Sequence, residues 1–380
     1  MKILIVGAGP AGCYTAQLLK RMGYTPVLLE EHSSVGKPVQ CAGIVSKSLI
    51  SKIQSTISSE SIINQINGFH IMSPWVEDFL INIPGIACII DREKFDLSIG
   101  KDLDIRLGQH VSLIGKENNH FFVKTFQGEK YEADILIGAD GPDSIVRKYL
   151  LANYGKKNRN LNSKLDYYFG MQYQIQLQDS YEIISDDKIQ VFFDNHIPFF
   201  IWIIPEIGKK LRIGVVANNG KKILDEFISN RNIKGEIIDI ITGKIPMGFI
   251  PTYYENVALV GDAACQIKPL TGGGLSYGMQ SAQILADCIK DKQLEKYDER
   301  WKRQFGREIQ FGLKARKIYE NLENKDKGKV FHLFKRNVHL VEQGIDFDHH
   351  STLFMAALKR PQLLIDAGKL LRYYLEDMLK

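Results

Sequence analysis

The chain has 380 residues, 44% of them hydrophobic and 24% charged, with a formal net charge of +5. Its length exceeds one typical core, so two or three subdomains are expected, and its composition is that of a globular enzyme rather than a disordered chain. The mild positive charge suits an anionic ligand or a membrane surface and is too weak to argue for nucleic acid.

Residues 1–30 carry the strongest pattern. The apolar run Ile3-Leu4-Ile5-Val6 reads as a first strand rather than a secretory leader. It feeds into Gly7-Ala8-Gly9-Pro10-Ala11-Gly12. Tyr14, Leu18, Leu19 and Met22 follow at helical spacing, and a second apolar run ends on Glu30. This is a βαβ dinucleotide-binding unit in its required context. Gly7 permits the tight turn, Gly9 lets the backbone approach a pyrophosphate, and Gly12 lets helix and strand pack closely. The free N–H groups at the helix start face the phosphates, and Glu30 accepts the ribose hydroxyls.

Residues 31–38 form a polar turn-rich loop, and residues 46–66 are expected to be helical. Residues 68–90 alternate strand-like runs with Pro74 and Pro84, and Asp91 N-caps a short helix beginning Arg92-Glu93-Lys94-Phe95. Short strands follow to Ala133–Ile137, which stops at Gly138-Ala139-Asp140-Gly141. Several strand-like runs over 166–217 imply an antiparallel sheet, and 224–240 reads as helix. Another buried strand, Val257–Val260, ends at Gly261-Asp262-Ala263-Ala264. The loop Thr271-Gly272-Gly273-Gly274 then opens a helix from about Ser276 to Ile289, and the remainder is mostly helical. No apolar run approaches the roughly 20 residues of a spanning helix. The five scattered cysteines have no C-x-x-C spacing and suggest neither disulfides nor zinc. His349-His350 lacks a partner at metal-ligand spacing and reads as a polar loop, so no metal site is expected.

The nucleotide-binding strands therefore come from three separated stretches with a sheet between them. The expected fold class is α/β: a Rossmann-like nucleotide-binding domain, an inserted antiparallel β-sheet substrate domain and a helical C-terminal region. The expected division gives the nucleotide domain 1–60, 91–150 and 246–300. The substrate domain takes 61–90 and 151–245, and the helical region 301–380.

With these motifs in place the chain resembles the FAD-dependent oxidoreductases built like p-hydroxybenzoate hydroxylase, and within them the geranylgeranyl reductase family. The likeness covers most of the chain. It rests on the glycine turn at 7–12, Asp91-Arg92-x-x-Phe95-Asp96, Gly138-Ala139-Asp140-Gly141, and Val260-Gly261-Asp262-Ala263-Ala264 followed by Pro269-Leu270-Thr271-Gly272-Gly273-Gly274. Two further segments point to the reductase branch. Pro38-Val39-Gln40-Cys41-Ala42-Gly43 is similar to that family's proline–cysteine segment, which lies near the flavin ring, but lacks the aromatic sometimes found before the cysteine. Phe200-Ile201-Trp202-Ile203-Ile204-Pro205 is similar to its aromatic-x-Trp-x-aromatic-Pro segment, with Ile204 and Glu206 departing from the usual aromatic and lysine.

The resemblance implies FAD as cofactor, held by Gly7, Gly9, Ala11, Gly12, Glu30, Glu31, Cys41, Ala42, Gly43, Arg92, Asp140, Gly261, Asp262, Gly272, Gly273 and Gly274. Asp262, just past a strand end, is suited to the ribityl hydroxyls. The backbone N–H groups of Gly272–Gly274 would stabilise negative charge on the reduced ring. Arg92 reaches either the cofactor or a neighbouring acid, and Asp140 closes a turn beside it. Saturating an isolated alkene needs a hydride and a proton, and Cys41 is the candidate proton donor or positioning thiol. Tyr168, Phe192, Phe200 and Trp202 are the candidate lining for a prenyl chain. There is no second G-x-G-x-x-G, so the reductant docks transiently: NADPH or a reduced protein carrier such as a ferredoxin. The expected substrate is a prenyl lipid or prenyl diphosphate, and the expected location is cytoplasmic, either free or peripheral on the inner membrane face. The amphipathic run Leu363–Leu375 is either a membrane-surface helix or a helix packed on the body. The rival functions are a flavin monooxygenase of an aromatic or lipid, and an electron-transfer flavoprotein linked to a quinone.

Overall fold

A computed structural model describes residues 1–118, 120–157, 165–178 and 185–352. The first part of the chain runs β1 (Ile3–Val6), α1 (Pro10–Arg21), β2 (Val27–Leu29), β3 (Ile44–Ser46), α2 (Lys47–Ile53), β4 (Ile62–Ser73), β5 (Val76–Ile90) and α3 (Arg92–Gly100). There follow β6 (Asp104–Arg106), β7 (Val111–Glu117), β8 (His120–Thr125), β9 (Lys130–Ala133), β10 (Ile135–Gly138) and α4 (Ile145–Lys157). The middle holds β11 (Asp166–Leu177), β12 (Ile189–Phe192), β13 (Ile201–Glu206), β14 (Lys210–Val216), α5 (Gly220–Asn230) and β15 (Gly235–Met247). Then come β16 (Tyr253–Tyr254), β17 (Val257–Leu259), α6 (Leu275–Lys290), α7 (Tyr297–Trp301), α8 (Arg307–Asn321), α9 (Asn324–Arg336) and α10 (Val338–Gly344).

Three sheets result. The first has the order β16-β17-β10-β1-β2-β6, parallel except for the edge pair β16–β17. Its central strands β1, β10 and β17 are apolar and buried on both faces, as a doubly covered parallel sheet requires. Ile3 and Ile5 of β1 face the core that α1 and α6 fill, whereas Leu4 and Val6 face α4 and the small sheet β7-β8-β9. Helix α1 forms because Pro10 stands where a donor is unneeded, and Lys20 and Arg21 complement its C-terminal end. The largest sheet has the order β15-β11-β14-β13-β12-β4-β5-β3 and is antiparallel apart from the β12–β4 pair. One of its faces packs on α5. The C-terminal ends of β1, β2, β10 and β17 point toward its other face, the crevice where ligands of open α/β sheets bind.

Two expected helices are corrected. Within 46–66 only Lys47–Ile53 is helical; a short turn at Ser59–Ser61 follows and Ile62 starts β4. The serine-rich stretch favours caps over helix interior, with Ser58 capping that turn, and β4 pairs with β5. Within 224–240, α5 stops at Asn230, Asn232 adopts φ 51°, and β15 begins at Gly235. The β-branched run Ile237-Ile238-Asp239-Ile240-Ile241-Thr242 pairs with β11 instead of extending the helix. Strand β3, expected inside the nucleotide-binding part, pairs with β5 in the large sheet. The run 363–375 lies outside the described residues.

Candidate functional site

The glycine turn is built as its spacing dictates. Gly7 adopts φ +98°, and a Cβ there would sit 2.3 Å from the Ala139 carbonyl oxygen. A Cβ on Gly12 would sit 2.1 Å from the Gly7 carbonyl oxygen, so α1 packs directly on the turn. A Cβ on Gly9 would meet nothing within 4 Å, because Gly9 opens into a cavity. Gly9 N-caps α1 with no side-chain bond and no acid in the first turn, which leaves backbone donors and the positive helix end for an anion. Glu30 is buried at the end of β2. Its Oε2 accepts the Ala8 N–H at 2.8 Å, and its Oε1 accepts the His32 N–H at 3.0 Å and contacts His32 Nδ1 at 2.6 Å. A carboxylate retains further lone pairs for ribose hydroxyls. Glu31 is exposed and pairs with His110 at 2.9 Å.

The cavity holds about 980 Å³, near the upper end of ordinary ligand sites. Its polar half is made by the strand ends, Arg92, Cys41, Asp262 and the loop Gly272–Gly274. Its apolar half is the inner face of the large sheet, with Phe69, Ile71, Val191, Phe193, Phe200 and Trp202. A more open cleft of about 890 Å³ adjoins it at Gln40, Pro142, Gly170, Met171 and Gly243.

Arg92 meets its expected acid and also borders the cavity. Its Nε and Nη2 donate to the two Asp96 carboxylate oxygens at 3.1 and 2.8 Å, while the same guanidinium borders the cavity and lies beside the Cys41 thiol. Cys41 is half-buried, and the Gly43 N–H points at its Sγ at 3.3 Å. Asp140 serves its turn: its carboxylate accepts Ser144 Oγ at 2.6 Å and the Ile145 and Val146 N–H groups at 2.7 and 3.2 Å, at the start of α4. The Asp262 side chain accepts no hydrogen bond from any described residue. Burial pushes its carboxyl up to about 6, against the pull of Arg92 and Arg147. In the glycine loop the Gly272 N–H is already bonded to the Lys268 carbonyl at 2.8 Å, which corrects its expected role as a free donor. Those of Gly273 and Gly274 have no acceptor among the described residues.

Four expected contacts are corrected. Phe192 points to the opposite face of the large sheet, onto Phe227 and the Arg231 guanidinium. Tyr168 lies beyond the cavity, against Phe199 and Arg316 of α8. Gly12 and Gly43 stand behind the wall as close-packing positions; a Cβ on Gly43 would sit 2.0 Å from Arg212 Nη1. Phe200 and Trp202 do line the cavity, and Trp202 Nε1 donates to Gln172 Oε1 at 2.8 Å.

Sequence reading missed three groups. Arg147 is buried and donates to the Asp262 and Ala263 carbonyls, both at 3.2 Å, tying α4 to the Asp262 turn. Lys268 and His350 both border the cavity. Burial, and then the Lys268 charge beside it, push the His350 imidazole down to about 3, so this histidine is neutral. Its place between the G-D-A-A motif at 261–264 and the P-L-T-G-G-G motif at 269–274 was the only hint at Lys268. No group of described residues could hold a metal ion.

The residues fit FAD. They offer an open backbone turn for the pyrophosphate, an acid for the ribose, a half-buried carboxyl without a partner for the ribityl hydroxyls, and two free N–H groups for the ring. Residues 5–42 match the family model of an NAD(P)-binding Rossmann-like domain. An uncharacterized protein of Methanocaldococcus jannaschii is 32% identical, with 94% of each chain covered. A digeranylgeranylglycerophospholipid reductase of Methanosphaera stadtmanae is 27% identical over 85% of this chain and 88% of its own. The chain belongs to the geranylgeranyl reductase family. A solved structure, of a geranylgeranyl bacteriochlorophyll reductase-like protein from Thermoplasma acidophilum, shares the fold with TM-score 0.76 and 22% identity, covering 97% of this chain and 98% of that one. The family's proline–cysteine segment thus corresponds here to a cavity wall, and its Trp segment to the facing sheet.

Proposed function

We infer that this protein is an FAD-dependent reductase that saturates the C=C bonds of geranylgeranyl groups in a prenyl lipid or prenyl diphosphate. One observation carries the reading: a dinucleotide-binding turn and an apolar, aromatic sheet face share a single cavity, with a thiol and a guanidinium at their junction. Bound FAD would supply the hydride. The sheet face excludes water and holds the hydrocarbon; apart from Gln172, whose oxygen Trp202 occupies, it offers the chain little polar competition. The Cys41 thiol gives its proton to the second alkene carbon. Arg92, fixed by Asp96, stabilises the thiolate left behind, and solvent from the adjoining cleft restores the proton. A nicotinamide or a reduced protein carrier docks transiently and returns two electrons. No helix of the described residues is long and apolar enough to cross a membrane.

The test is anaerobic. The protein is reduced with dithionite, mixed with geranylgeranyl lipid, and followed by flavin absorbance and lipid mass. Reoxidation with gains of two hydrogens is the expected result. A reduced protein that waits for air and then yields an oxygenated product would make it a monooxygenase.

A further inference from the structure

Behind the glycine loop lies a buried charged network that the reaction above does not use. Lys268 is 4% exposed, as is Asp348. The Lys268 Nζ donates to the Phe347 carbonyl at 2.9 Å and to Asp348 Oδ1 at 3.1 Å, and sits 4.1 Å from the centre of the Phe347 ring. The far Asp348 oxygen accepts Ser46 Oγ at 2.6 Å. The lysine backbone is wound into the glycine loop: its N–H donates to the Gly273 carbonyl at 3.0 Å, and its own carbonyl accepts the Gly272 N–H. A Cβ on Gly273 would lie 3.0 Å from Lys268 Cε and 3.6 Å from Nζ. The pair is therefore directional. Its cationic end adjoins Gly273 of the glycine loop, and its anionic end points away toward Ser46.

A buried ion pair rarely adds net stability over an apolar pair of similar volume. Its position against a cavity wall calls for another account. We propose that Lys268 supplies the fixed positive charge of the redox corner. Together with the Gly273 and Gly274 N–H groups it favours the electron-rich, two-electron-reduced ring over the oxidised one, while Asp348 holds the ammonium in place and damps its charge. This rests on the FAD reading above. Lys268 is a charge that tunes the cofactor rather than a group that transfers a proton. The neutral His350 beside it adds no competing charge.

The experiment is the reduction potential of the flavin in the purified holoprotein, measured by equilibration with a reference dye. Lys268→Met removes the charge at nearly constant volume. It is expected to weaken binding of reduced relative to oxidised FAD about tenfold, a potential about 30 mV lower for a two-electron couple. Asp348→Asn unmasks the ammonium and is expected to raise the potential. Lys268→Arg keeps it near the parent value, and Lys268→Met with Asp348→Asn gives the lowered value without stranding a buried carboxylate. Opposite shifts from the two single variants support the proposal. A pair that merely staples the C-terminal segment to the loop would lower melting temperature in both and leave the potentials unmoved or shifted together, which overturns it. A protein that binds no flavin overturns the cofactor reading and this inference with it.

Discussion

Alanine at Gly9 and at Gly12 should separate cofactor binding from folding. At Gly9 the backbone stands at φ −70°, ψ 178°, which alanine adopts without strain, and the new methyl meets nothing within 4 Å. Losing glycine's advantage at an N-cap costs about 1 kcal/mol, and the reduced freedom of the unfolded chain returns about 0.4–1 kcal/mol. The stability of the flavin-free protein should change by less than about 1 kcal/mol. The methyl nevertheless occupies the space a pyrophosphate must enter. FAD affinity should fall at least about 100-fold, roughly 2.7 kcal/mol. At Gly12 the methyl would lie 2.1 Å from the Gly7 carbonyl oxygen, where neither backbone can yield alone. Helix and strand must part, at a cost of about 1–3 kcal/mol or more. Flavin fluorescence titration and thermal melts of the flavin-free protein measure the two effects separately. Gly9→Ala with parental FAD affinity, or with a melting temperature as low as that of Gly12→Ala, would refute the reasoning.

Cys41→Ala should keep full flavin content and lose about 10²–10⁴ in turnover, the range for a positioned acid; single-turnover reoxidation with bound lipid measures it, and full turnover with FAD bound excludes the thiol. Glu206→Ala should cost about 3–5 kcal/mol in urea unfolding, because it leaves Arg212 buried and uncompensated. The contact of Asp346 with His349 Nδ1, 3.4 Å, sets a pH window. The hydrogen bond to Asp346 raises His349 above 6.5, so its contribution is complete below 6.5 and is lost as pH rises through the folded value. The same bond lowers Asp346 below 3.8, so its contribution is complete above 3.8 and is lost as pH falls. The difference in melting temperature between the parent and His349→Ala should be flat between pH 3.8 and 6.5 and shrink on either side. The parent's own melting temperature falls as pH drops below 6.5, because unfolding lets the neutral His350 take up a proton.

The first βαβ unit was legible because its evidence is local: strand, glycines, helix and acid fall within thirty residues of one another. The strand-end motifs at Asp140 and Asp262 were legible for the same reason. Sidedness was not. Strand β12 is buried on both faces, so its sequence carries no period to say that Val191 lines the cavity and Phe192 faces away. A shift of one residue exchanges those roles. The Lys268–Asp348 pair spans 80 positions and has no motif. His350 looked like a loop residue, and only the chain's return over the glycine loop brings it to the cavity. The misread helix ends had another cause: tertiary pairing of β4 with β5 and of β15 with β11 overrode weak local preference.

Ile204 and Glu206, which depart from the family's aromatic and lysine, prove to stand outside the cavity wall. Ile204 is fully buried in a cluster with Ile66, Ala87 and Ile189. Glu206 pairs with Arg212, and Gln174 Nε2 donates to its other oxygen at 2.9 Å. Arg212 in turn donates to the Ala42 carbonyl at 2.8 Å and to the Ile90 carbonyl at 3.2 Å. The acid at 206 thus fixes the guanidinium that holds the backbone immediately after Cys41. A lysine at 206 would set two cations against each other in a buried space, so here the family's residue is excluded by its neighbour rather than by the substrate. The departures therefore bear on how firmly the Cys41 segment is held, and the residues of the segment that kept the family pattern, Phe200 and Trp202, are the ones that line the cavity.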